Sequence, residues 1–238
     1  MAPALVLLHG FTHTGRSWDG VVAALGESYR ALAPDICGHG CAAAKQPVTL
    51  DRVIEDLDGL EPPTFTLAGY SMGGRIALHY ALAGPERVQR LVLIGASPGI
   101  ADSVQRRARR EADERLATQI ERQTIEQFAQ SWAATAVLAG QPPAVARRAH
   151  ADRLRNTPQG LARALRGLGT GALPPLWHRL PELGMPVALV VGQRDEKFLA
   201  IAKEMARAIP DVELYLVADA GHAVHLERPQ AIAELLGS

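Results

Sequence analysis

Ser71 stands in the middle of Gly69-Tyr70-Ser71-Met72-Gly73, a G-x-S-x-G run. A serine hydroxyl is a weak base and a weak nucleophile until an imidazole takes its proton and a carboxylate orients that imidazole. The chain supplies both groups further on. Asp195 follows the apolar run Val187–Gly192, and His222 follows a second apolar run at 214–217, with Gly221 allowing a tight turn before it. The order serine, acid, histidine is that of triads assembled from successive strand ends. Each partner has a rival. His225 lies three residues past His222, where a helix is expected to begin, and Asp219 lies beside the histidine loop, with poorer reach than Asp195. Charge that develops on an oxygen also needs preorganised donors. The backbone N–H of Met72, first in the helix after the serine, is one. The N–H of Phe11, in the loop His9-Gly10-Phe11, is the natural second, and the Phe11 ring can also pack against whatever covers the site.

These side chains need a scaffold that turns sharply at the serine. Phe65, Leu67 and Ala68 read as strand, whereas Ile76, Ala77 and Tyr80 recur at helical spacing, with almost no loop between. Such a turn strains the pivot residue, and the flanking glycines let the helix fold back on its strand without side-chain collision. The pivot hydroxyl is then presented at the C-terminal edge of a sheet, facing the free N–H groups of the new helix.

The same alternation runs through the chain. Ala4–Leu8 is a short apolar run of the kind buried on both faces. Residues 18–25 read as an amphipathic helix, 29–36 as a strand, 50–60 as a helix with an acidic outer face and 90–95 as a strand. Beyond Val187–Gly192 a helix is expected over 197–208 and a strand over 213–217. The pattern predicts an α/β fold with a mostly parallel sheet of about six strands and helices on both faces. No hairpin precedes the first strand. Residues 99–183 break the rhythm: no strand-like run occurs, and the stretch carries 13 Arg and no Lys against 8 acids. The expected organisation is a core of 1–98 and 184–238 with a helical lid inserted at 99–183. Most of those arginines belong to a solvated helical surface; a few can face inward over Ser71.

The chain of 238 residues has zero formal net charge, so nothing in its balance points to nucleic acid. No apolar run reaches the roughly 18 residues of a membrane span. The opening Met1-Ala2-Pro3-Ala4 has no basic segment of a signal peptide. Cys37 and Cys41, in CGHGC, are too few ligands for zinc and read as reduced loop thiols. The expectation is a cytoplasmic, monomeric protein with a small-molecule partner and no metal.

His9-Gly-Phe-Thr, Asp35-x-x-Gly-His-Gly40, Gly69-Tyr-Ser-Met-Gly-Gly-Arg75 and Ala220-Gly-His222 resemble the α/β-hydrolase superfamily over nearly the whole chain. More specific strings are Gly95-Ala-Ser-Pro-Gly99, Arg109 with Asp113, Arg153-Leu154, Gly160-Leu-Ala162, Leu165-Arg-Gly-Leu-Gly-Thr-Gly171, Pro175-Leu-Trp177 and Asp195-Glu-Lys-Phe198. With the stretch from Ala220 to Glu227 they resemble the family of 2-succinyl-6-hydroxy-2,4-cyclohexadiene-1-carboxylate (SHCHC) synthases of menaquinone biosynthesis. The resemblance implies a lyase without a cofactor, which eliminates pyruvate from a small tricarboxylate, 2-succinyl-5-enolpyruvyl-6-hydroxy-3-cyclohexene-1-carboxylate. It implies that Ser71, with His222 and Asp195, removes a ring proton, and that Phe11 and Met72 hold the resulting oxyanion. By motif position it names Tyr70, Arg75, Arg109, Arg153 and Trp132 as substrate-binding residues. Arginine suits three carboxylates because its planar fork binds them bidentately. The chain departs from the family at His13, where Gly or Ser is expected, and at Ala136-Val137-Leu138, in place of Pro-Leu-Phe; it also lacks the superfamily's N-terminal hairpin. The same triad would serve a carboxylesterase or C–C bond hydrolase, which needs no inward arginine cluster. A non-catalytic use of the fold is disfavoured by the intact triad.

Overall fold

The computed structural model describes residues 2–135, 138 and 140–237. Ala136 and Val137, two of the three residues at the Pro-Leu-Phe position, lie outside the described residues, as does Met1. Six strands are described: β1 (Ala4–Leu8), β2 (Arg30–Leu32), β3 (Phe65–Tyr70), β4 (Val88–Ile94), β5 (Val187–Gly192) and β6 (Val212–Val217). They form one parallel sheet in the order β2-β1-β3-β4-β5-β6. β1 and β5 are buried at every position, as their unbroken apolar sequences require of strands covered on both faces.

Side chains alternate across each strand, and this divides the core in two. Val6, Leu8, Leu67, Leu91 and Leu189 pack under helices α2 (Leu50–Asp58), α3 (Met72–Ala83) and α8 (Glu196–Ala206). Leu5, Leu7, Ala68, Val92 and Val190 pack on the other face, against α1 (Asp19–Leu25) and α10 (Pro229–Gly237). The second strand is shorter than its apolar pattern suggests. Three residues pair with β1, and the chain then leaves the edge so that Asp35 can accept from the N–H groups of Gly15 and Cys41 at 2.7 Å each. Cys37 and Cys41 are both free thiols, the first buried and the second exposed. No helix among the described residues is long and apolar enough to cross a membrane.

Between β4 and β5 the described chain forms four α-helices and no strand: α4 (Ser103–Glu121), α5 (Ile125–Ala133), α6 (Pro143–Arg153) and α7 (Pro158–Leu168). Three begin at side-chain caps. Asp102 accepts from the Gln105 N–H, Thr124 forms a reciprocal capping box with Gln127, and Thr157 accepts from the Gly160 N–H just ahead of Pro158. The helices bury a core of their own, made by Ala117, Ile120, Phe128, Leu161, Ala162 and Leu165. Phe11, from the loop after β1, packs against this second core. A short helix, α9 (Val224–Glu227), follows β6.

Candidate active site

Ser71 joins β3 to α3 with φ 53° and ψ −108°, a backbone geometry that an L-residue adopts only under constraint. Its N–H is tied to Ile94 O at 2.9 Å, and its carbonyl accepts from Arg75 N at 3.1 Å. The glycines have the steric duty that the motif assigns them. A Cβ on Gly69 would lie 2.4 Å from Gly73 O, and one on Gly73 would lie 2.3 Å from Leu8 O. The helix can therefore sit on its strand only because these positions are bare.

Asp195 follows β5 and caps α8, accepting from the Phe198 N–H. His222 follows β6. Its Nδ1 lies 2.6 Å from Asp195 Oδ2 and its Nε2 lies 3.2 Å from Ser71 Oγ. Bonded in this way, Nδ1–H donates to the carboxylate and Nε2 is free to take the serine proton. The ring is held between Phe198, at 4.5 Å between centroids, and Tyr70, at 5.2 Å. Gly95, with φ 54°, passes beside it; a Cβ there would lie 3.0 Å from Cε1 of His222. The rivals fall away. Asp219 is exposed, and His225 is buried among Trp18, Tyr70 and His13 with neither nitrogen hydrogen-bonded. Burial pushes its pKa well below the usual histidine value. Glu227 braces the loops that carry Asp195 and His222, accepting from Arg194 and from the Gly221 N–H at 2.9 Å each.

The loop after β1 lies against the serine. A Cβ on Gly10 would be 2.7 Å from the Tyr70 ring and 3.4 Å from Ser71 Cβ. His9 fixes the loop from below: Nε2 accepts from Ile36 N, and Nδ1–H donates to Gly10 O, both at 2.9 Å. Burial lowers its pKa to about 4, so the neutral ring is the stable form. From above, the loop is clasped by the end of α6 and the turn after it. His13 Nδ1 lies 3.0 Å from Asp152 Oδ2, which also accepts from Thr14 N. Asn156 Nδ2 donates to Thr12 O at 2.9 Å, while its Oδ1 accepts from Gly40 N. Thr12 has φ 72°, so this clasp restrains a strained residue one position from Phe11. Histidine at position 13 thus reaches a partner, Asp152, through its ring nitrogen.

Above the serine is a cavity of about 340 Å³, large enough for a small-molecule ligand. Ser71, His222, Phe11 and Met72 form its floor, and Arg75, Arg109, Trp132, Trp177 and Lys197 stand among its walls. Of the residues named from the sequence, the fold thus brings Arg75, Arg109 and Trp132 to the cavity. Arg75 is 6% exposed and donates Nη2 to Leu168 O at 3.0 Å; burial, helped by the charge of Arg109, lowers its pKa to about 10. Arg109 bonds Asp113 through Nε at 2.8 Å, leaving the rest of its half-exposed guanidinium available. Trp132 meets Phe11 edge to face at 5.3 Å. Tyr70 lies beneath, packed on His222, and is not a wall of the cavity. Arg153 is not a wall either. It ends α6 pointing inward, 1% exposed, with Nε 3.4 Å from Thr12 Oγ1. The resemblance names it as substrate-binding; the inward face of α6 puts it behind the loop after β1. Lys197, Trp177, Ser97 and Thr170 were missed as walls, although all four lie in or beside the family-like strings.

The α/β-hydrolase fold family model matches residues 3–229. A Bacillus subtilis (strain 168) protein provisionally named 2-succinyl-6-hydroxy-2,4-cyclohexadiene-1-carboxylate synthase is 37% identical, over 98% of this chain and 88% of its own length. The synthase of that name from Enterobacter sp. (strain 638) is 32% identical, over 98% of this chain and 90% of its own. The solved structure of MenH from S. aureus is similar with a TM-score of 0.93, at 32% identity, covering 99% of this chain and 92% of that one.

Proposed function

The chain belongs to the α/β-hydrolase fold family and, within it, to the SHCHC synthases, and from that membership we infer that it eliminates pyruvate from 2-succinyl-5-enolpyruvyl-6-hydroxy-3-cyclohexene-1-carboxylate. It is a carbon–oxygen lyase of menaquinone biosynthesis built on a hydrolase fold. Ser71 Oγ, relieved of its proton by His222, takes the proton from ring carbon C2, next to the succinyl carbonyl. The charge spreads onto that carbonyl oxygen, which faces the Phe11 and Met72 N–H groups. The C3–C4 double bond then shifts to C2–C3, a new one forms at C4–C5, and the C5–O bond breaks with its electron pair on the departing enolpyruvate. The proton returns to the enol carbon, and pyruvate leaves. No water is consumed.

The observation that carries this reading is the junction of the Ser71–His222–Asp195 hydrogen-bonded chain with a cavity walled by arginines. Esterase chemistry would use the same three side chains but gains nothing from a buried, half-satisfied Arg75. We further propose that residues 99–183 act as a helical lid over a core of 1–98 and 184–238, keeping water from the carbanion-like intermediate. Cytoplasmic, monomeric action on a small tricarboxylate completes the proposal. The test is direct: incubation with the enolpyruvyl substrate should release pyruvate, and p-nitrophenyl acetate should give little nitrophenol. Rapid nitrophenol release without any pyruvate would assign the site to ester hydrolysis instead.

A further inference from the structure

Three carboxylates call for three cations, and one of those chosen from the sequence, Arg153, is not at the cavity. Lys197 is. We propose that Lys197 binds the enolpyruvyl carboxylate and holds it as the C5–O bond breaks and pyruvate departs. The assignment rests on the elimination reading given above.

Lys197 is the second residue of α8, between Asp195 and the active-site aromatic. Its Nζ lies 5.6 Å from the centroid of the Phe198 ring, and that ring packs on His222. The ammonium is therefore carried to the histidine side of the cavity. Arg75 and Arg109 stand elsewhere, on α3 and α4, close enough for the charge of one to act on the other. Their paired charge suits the groups the substrate keeps. Lys197 is carried by a different helix, α8, on the side of Phe198 and His222, which suits a carboxylate carried by a different arm of the molecule.

Its own surroundings leave its charge uncompensated. Among the described residues no carboxylate lies within 4.0 Å of Lys197, whereas Arg109 is tied to Asp113. A cation in the first turn of a helix also opposes the helix dipole, which favours anions there. The placement is thus unfavourable for the fold alone and favourable once an anion enters the cavity. The residue type fits the step as well. A guanidinium grips a carboxylate in a rigid fork, whereas an ammonium on a flexible stem is a point charge that can follow a moving group and release it. Lys197 is exposed, at the rim from which a small product can leave.

The test uses the full chain with Lys197→Ala and Lys197→Arg, measuring pyruvate release and, without turnover, the protection of Ser71 from phenylmethylsulfonyl fluoride. Two protecting probes are compared: pyruvate, and 2-succinylbenzoate, which keeps the ring and succinyl carboxylates but has no enolpyruvyl group. Losing one charge-assisted hydrogen bond should lower kcat/KM about 10- to 100-fold in Lys197→Ala, with most of it recovered in Lys197→Arg. Pyruvate should protect the Ala variant only at about fivefold or higher concentration, while 2-succinylbenzoate should protect within about threefold of wild type. Equal weakening of both probes would make Lys197 a source of general attraction and overturn the assignment, as would unchanged pyruvate protection. A wild-type protein that releases no pyruvate would sink the elimination reading itself; pyruvate protection would still decide whether Lys197 holds that carboxylate.

Discussion

The wall of the cavity built from strand ends and the wall built from the α4–α7 helices differ in how their side chains are held. Ser71, Asp195 and His222 follow β3, β5 and β6, and the turns carrying them are pinned by hydrogen bonds near 2.9 Å: Ser71 N to Ile94 O, Asp195 N to Gly192 O, and Arg194 N to Ala220 O. The helical wall has its own small core and meets the sheet domain through side-chain contacts. These include Trp132 on Phe11, Arg163 Nη2 to Ala43 O at 2.9 Å, and the Asp152 and Asn156 clasp on residues 12–14. The comparison teaches a division of labour. Atoms that must meet within hydrogen-bond distance sit at the strand ends, whereas the cations at the cavity are spread over both regions, Arg75 on α3, Lys197 on α8 and Arg109 on α4.

Removing the strand-end chemistry should have the largest effect. Ser71→Ala and His222→Ala are each expected to lower kcat by on the order of 10³-fold or more, with the double variant little worse, because the residues act as a unit. Fully additive losses in steady-state pyruvate assays would break the idea that this wall works as one device.

The cavity arginines come next, Arg75 on α3 and Arg109 on the helical wall. Arg75→Ala and Arg109→Ala should each reduce kcat/KM for the tricarboxylate by about 10- to 150-fold, the range of a lost charge-assisted hydrogen bond. Any turnover of a small neutral ester should change by less than about threefold. Equal losses on both substrates would show that Arg75 and Arg109 hold the fold and not the substrate. Arg122, exposed and away from the cavity walls, is the control.

The clasp between the two walls should give a smaller effect of a different kind. Asn156→Ala leaves Thr12 O and Gly40 N without their partner, a loss of about 1–3 kcal/mol for buried groups. It should lower the melting temperature and reduce turnover of tricarboxylate and neutral ester alike, by roughly tenfold, because the Phe11 N–H is no longer held in place. A loss confined to the tricarboxylate would mean that Asn156 acts on substrate directly.

The smallest effect belongs to the outer face of the helical wall. Arg166 bonds Glu114 and Glu121 in an exposed network. Exposed ion pairs are screened and contribute little. Arg166→Ala should leave kcat/KM within about threefold of wild type, in contrast to Arg109 on the cavity side of the same wall.

Much of the strand-end wall was legible in the residues. The elbow follows from the serine between Gly69 and Gly73, two positions where any side chain would strike backbone, and the serine-acid-histidine order follows from apolar runs that each end in a polar residue. The choice of His222 over His225 was also local, since one precedes a helix and the other lies in its first turn. These features depend on neighbours in the chain, so hydrophobic period and turn chemistry are enough to reveal them. The clasp was not legible: His13 looked like a departure from a pattern, and its meaning lay 139 residues away at Asp152.

What the sequence by itself determined was therefore the parallel sheet, the helical interruption between β4 and β5 and the three groups at the strand ends. What only the tertiary structure decided was which cations look into the cavity. Arg153 and Lys197 are both long, flexible and charged, and both fall in family-like strings. One closes α6 against the loop after β1; the other opens α8 beside Phe198, whose ring packs on His222. A helix shows its period in its sequence, but the rotation of that helix about its axis is fixed by packing against distant residues, and that rotation decides whether a charge meets the substrate or the back of a loop.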